Sequence, residues 1–135
     1  MKLGLETESY HLFFQQGAMD IFGFIAKASE LGLDGVEINI IPDEGLHPEF
    51  GVLNGDNPEY LAKVRDAIET HGLYCEIDTR FTTPDAIKKA VNIASALNAD
   101  VIAYSALFDQ GLASKSDQRF ASIRSTGNLT FLTAF

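Results

Sequence analysis

The chain has 135 residues, 46% hydrophobic and 21% charged, the composition of one globular domain and not of a disordered segment. Ten basic against 19 acidic residues give a net charge of -9, which repels a nucleic-acid backbone, and no local basic patch offsets it. No apolar run reaches the about 18 residues of a membrane span, the start MKLGLETES lacks the apolar centre of a signal peptide, and a lone Cys75 suits a reducing cytoplasm.

Residues 2 to 7 are a short strand candidate, followed by a polar loop around Glu8 to His11. From Asp20 to Leu31 the apolar positions Ile21, Phe24, Ile25, Ala28 and Leu31 recur at helical spacing, and Gly32 is the stop. Gly35 to Ile41 is the second strand, and a long loop containing proline and glycine runs through Gly55. Asn57-Pro58 opens the next helix as cap and first helical residue. Its stripe is Leu61, Val64 and Ile68, and Gly72 ends it. Leu73 to Thr79 is the third strand. Thr83-Pro84 repeats the capping signal before a stripe of Ile87, Val91, Ala94 and Leu97, and Asp100 to Ser105 is the fourth strand.

Strands alternating with helices imply right-handed crossovers and an α/β fold with a parallel sheet. Residues two apart in a strand share a face. Leu3 and Leu5 therefore oppose Gly4 and Glu6. Val36 and Ile38 oppose Gly35, Glu37 and Asn39, and Leu73, Cys75 and Ile77 oppose Glu76, Asp78 and Arg80. A doubly wound sheet is covered on both faces and prefers continuous apolar strands. One apolar and one ionisable face favours part of a (β/α)8 barrel, whose full form needs about 250 residues.

The segments KLGLETESYH, ELGLDGVEINI, IETHGLYCEIDTR and ALNADVIAYS resemble the xylose isomerase-like TIM barrels, above all the sugar phosphate isomerase/epimerase proteins. The resemblance covers residues 1 to 105, the first four βα units. It implies an isomerase or epimerase moving a proton next to the carbonyl of a sugar or sugar phosphate. It also implies a divalent metal (manganese, magnesium, cobalt or zinc) held by Glu, Asp and His on the fifth to eighth strands. Residues 106 to 135 do not continue the family pattern. They carry seven Ser or Thr and a charge of +1, against -10 for residues 1 to 105, and read as an irregular tail, altered or truncated. No metal ligand is assigned, and the isolated chain is expected to turn over sugars negligibly.

The resemblance also implies that Glu37 points into the barrel at the substrate end. Alternation places Glu6, Glu76 and Asp78 on the same side, so four carboxylates converge at the C-terminal strand ends, where they raise one another's pKa or attract a cation. Such a cluster also supplies acceptors for sugar hydroxyls. Arg80 either grips a hydroxyl or phosphate or neutralises Asp78 and Glu76. His11, beside Tyr10, Phe13 and Phe14, borders an aromatic wall for a sugar ring or sits in solvent, and His47 lines the same mouth from the long loop. His71 complements the end of its helix. The substrate-binding candidates are thus Glu6, His11, Glu37, Glu76, Asp78 and Arg80, and the catalytic group is unassigned.

Two other functions compete. A non-catalytic half-barrel would assemble with a second copy or subunit through its open strand edges, with residues 129 to 135 covering one edge. A phosphodiester-cleaving nuclease relative is opposed by the net charge of -9.

Overall fold

The computed structural model describes residues 2–40, 53, 56–79, 83–105, 120–126 and 128–130; for 104, 105 and the residues after them the description is of backbone alone. Four strands, β1 (Gly4–Glu6), β2 (Gly35–Ile40), β3 (Tyr74–Thr79) and β4 (Val101–Ser105), pair in parallel in chain order. The crossovers include α2 (Ile21–Glu30), α3 (Pro58–Thr70) and α4 (Pro84–Leu97).

Local chemistry sets each helix boundary. The Asp20 carboxylate accepts from the Gly23 backbone N–H at 2.8 Å to start α2, and Gly32, at φ 69°, stops it. Asn57 Oδ1 accepts from the N–H groups of Glu59 and Tyr60 at 2.9 and 3.3 Å, with Pro58 next in the chain and Gly72 at φ 66° beyond the other end. Thr83 caps α4 through the Ala86 N–H, and Asn98 ends it at φ 55°. The sequence reading named no stop there; an asparagine tolerates the left-handed region almost as glycine does.

All three helices pack on one face of the sheet. Phe24, Ile25 and Ala28 of α2, Leu61, Val64 and Ile68 of α3, and Ile93, Ala94 and Leu97 of α4 meet Val36, Ile38, Cys75, Ile77 and Ile102 in a single buried core. Val36, Ile38, Cys75 and Ile77 are the residues of β2 and β3 that alternation assigned to the apolar face; it assigned Ile102 of β4 to neither. Leu3 is an exception: it is 52% exposed at the outer edge of the sheet, although it was assigned to the apolar face.

Two expectations need correction. The polar loop around Glu8 to His11 is instead a 3-10 turn, Thr7–Tyr10, running into a five-residue helix, α1 (His11–Gln15). Its ring contacts explain why it forms: Tyr10 and Phe14 each lie 5.9 Å, centroid to centroid, from Phe24 of the core. The tail is not wholly irregular either. Residues Phe120–Thr126 form β5, antiparallel to β4, and Asn128–Thr130 form β6, antiparallel to β5. The edge of β4 is therefore covered by residues 120–126, while 129 and 130 pair with β5 and 131–135 lie outside the described residues. Ser and Thr, which gave the segment its loop-like composition, are compatible with strands wherever a ladder is on offer.

Candidate functional site

The sheet face turned away from the helices is built in layers. Parallel register sets Gly4, Gly35 and Tyr74 side by side at the N-terminal end of the strands. The Tyr74 ring lies across both glycines, so that a Cβ at either position would run into it. Lys2 Nζ stands 5.6 Å from the ring centroid. One layer further along come Glu6, Glu37 and Glu76, and beyond them Asn39 and Asp78. Ala103 continues the last layer onto β4.

Carboxylate oxygens of Glu6, Glu37 and Asp78 lie within 4.8 Å of one another, and all three side chains are half-buried. Three of the four acids that alternation aimed at one side are thus brought together; Glu76 stands in register beside Glu37 but is not one of the three whose oxygens meet. Among the described residues no basic side chain pairs with any of the four. The electrostatic consequence falls on Glu37, whose carboxyl is pushed up from 4.5 to about 7, first by burial and then by the charges of Glu6, Asp78 and Glu76. Burial raises Asp78 as well, against a lowering hydrogen bond from the Thr79 backbone.

Asn39 was placed on this face by alternation but not proposed for the site. It is 2% exposed, and among the described residues neither its Oδ1 nor its Nδ2 has a hydrogen-bond partner. Its backbone N–H donates to Thr7 Oγ1 at 3.0 Å, which ties the end of β1 to β2. The available signal was position: Asn39 follows Glu37 by two residues and so shares its face of the sheet.

His11 stands apart from the three clustered carboxylates. It begins α1, and its Nδ1 lies 2.8 Å from the Glu8 carbonyl oxygen. The neighbouring aromatic rings are turned into contacts with one another and with Phe24. Arg80 and His47 lie outside the described residues. Cys75 is core as expected, its thiol pushed up to about 12, chiefly by burial.

Compared with protein-family models, curated proteins and solved structures, the chain gives no match. None of the helices among the described residues is long and apolar enough to cross a membrane.

Proposed function

We propose that the chain is the first half of a (β/α)8 barrel of the xylose isomerase-like kind, and that its acidic mouth binds a small polyhydroxylated carbonyl compound of the sugar class. The observation that carries this reading is the convergence of Glu6, Glu37 and Asp78 on one face of three adjacent parallel strands, with Glu6 and Asp78 at the C-terminal ends of β1 and β3 and Glu37 midway along β2. Ligands of α/β barrels bind at that end. Helices on a single face support a barrel over a doubly wound sheet, which carries them on both. Carboxylates accept hydrogen bonds from vicinal hydroxyls, and no described cation neutralises them. The same charge disfavours a phosphate at this wall, so an uncharged aldose or ketose suits it better than a sugar phosphate. The reaction class is proton transfer next to the carbonyl, for which a divalent cation, when bound, supplies polarisation of the substrate oxygens.

Saturation-transfer NMR with aldoses, ketoses and their phosphates tests the reading. The expected result is saturable binding of the uncharged sugars that is weakened in Glu76→Gln and Glu37→Gln. Absence of binding, or binding that ignores both substitutions, would overturn it.

A second reading is a half-barrel that assembles with another copy. It is favoured by β1, a parallel strand that among the described residues pairs only with β2 and stands at the edge of the sheet with Leu3 exposed beside it. Light scattering on the purified chain distinguishes the two, because the second requires a dimer at micromolar concentration.

A further inference from the structure

Asn39 is the least explained polar side chain among the described residues. It is 2% exposed, and both polar atoms of its amide are without partners. Buried polar groups are almost always hydrogen-bonded, and an ion that the fold receives is one ordinary reason for an exception. The strand sets the direction of this side chain. It stands on the same sheet face as the carboxylates, two residues on from Glu37 and in register with Asp78.

We propose that Glu6, Glu37 and Asp78, completed by the Asn39 Oδ1, bind one hard divalent cation of the magnesium, manganese or calcium class. Three carboxylates and an amide carbonyl are all hard oxygen donors, which suit these ions better than zinc or copper. The spacing fits a single ion. Ligands at about 2.1–2.4 Å from a metal stand at most about 4.2–4.8 Å apart across it. The three carboxylate oxygens already lie within 4.8 Å of one another. With Oδ1 on the cation, Nδ2 is free to donate to the second oxygen of a ligating carboxylate, so both orphaned atoms acquire roles.

This set comes from β1, β2 and β3, not from the later strands that the family resemblance implies. It stands independently of the carbohydrate reading, since retention of the cation is measured with no sugar present. Loss of sugar binding with cation binding intact would remove only the former.

Manganese titration of the full chain, followed by the paramagnetic signal of the free ion, tests the proposal. The expected result is one saturable Mn2+ per chain, displaced by Mg2+ or Ca2+. Glu37→Gln and Asp78→Asn should each weaken it by at least about tenfold, and Asn39→Leu by about fivefold or more. Asn39→Asp keeps an oxygen at the same place and should bind at least as tightly as the wild type. Glu59→Gln removes an exposed acid of α3 and should change the affinity less than about twofold. If a carboxylate variant does not fold, the Asn39→Leu and Asn39→Asp pair still decides. Equal affinity in those two, binding that does not saturate, or an equal loss in Glu59→Gln would overturn the proposal and reduce the effect to diffuse attraction by the net charge of -9.

Discussion

The two faces of one short sheet obey opposite rules. On the helix side, Val36, Ile38 and Ile77 are wholly buried, interlocked with three helices, and indifferent to pH. On the other side, the intervening residues of the same strands crowd carboxylates together with no described cation between them. The first arrangement holds the fold together. The second works against it, since burying like charges costs free energy that the apolar face must offset. Residues arranged against stability in this way mark where a protein does something other than fold. Substitutions that affect one face and not the other test that division.

The largest effect is expected on the helix side. Ile38→Ala removes a wholly buried side chain from between β2 and the helices and should cost about 2–5 kcal/mol in urea unfolding, at every pH. A loss below 1 kcal/mol would show that this face is not the one that holds the sheet. Next comes the floor of the other face. Gly35→Ala drives a methyl group into the Tyr74 ring and should cost about 1–3 kcal/mol. Tyr74→Ala in the same chain should recover much of that loss, because the clash disappears with the ring. Additive losses would mean that the ring is displaced at little cost.

Alternation made the division of faces legible from the sequence, and glycine, proline and capping residues marked α2, α3 and α4 to within a residue or two, while α1 went unread. Register was not legible: β1 has three residues against six in β2 and β3, and only the pairing itself sets Glu6, Glu37 and Glu76 abreast. Depth was not legible. Period two assigns Asn39 and Glu37 to one face, yet cannot tell that the amide is buried and the carboxyl only half so, because burial depends on chain far away in sequence. Nor does it reveal that Tyr74 covers Gly4 and Gly35, which is a consequence of register. Residues 120–126 went unread because a strand that completes an existing edge borrows its order from β4 and needs no strong pattern of its own.

A smaller effect separates the faces by pH. In the folded chain Glu37 keeps its proton up to about 7, whereas an ordinary glutamate has lost it by 4.5. The folded state therefore holds more protons than the unfolded state between those values. The contribution of Glu37 is most favourable below 4.5, falls as pH rises towards about 7, and is constant above. The full shift corresponds to about 3 kcal/mol, and solvent screening of a half-buried group reduces it to about 1–2 kcal/mol. Glu37→Gln should remove this fall and leave the chain about 1–2 kcal/mol more stable than wild type at pH 8, with little difference at pH 4.5. Urea melts at the two pH values check it. Parallel wild-type and variant profiles would mean that the crowding of the acids is relieved in some other way.

The smallest effect concerns Asn39, and here the two faces can be made alike. Asn39→Leu replaces an amide that is 2% exposed and without partners by an apolar side chain of similar volume. Removing an unmet hydrogen-bonding demand offsets the imperfect fit of the branched chain, so the metal-free variant should be more stable than wild type by about 1 kcal/mol. Millimolar Mn2+ should then reverse the order. A ligand that binds the folded state alone stabilises it by mass action, and the wild type keeps the amide oxygen that completes the proposed site while the variant does not. Thermal melts of both chains, with chelator and with Mn2+, give all four values. A variant less stable than wild type in chelator would mean that the amide already makes an interaction the fold depends on. In that case the polar face would resemble the apolar one more than its charges suggest.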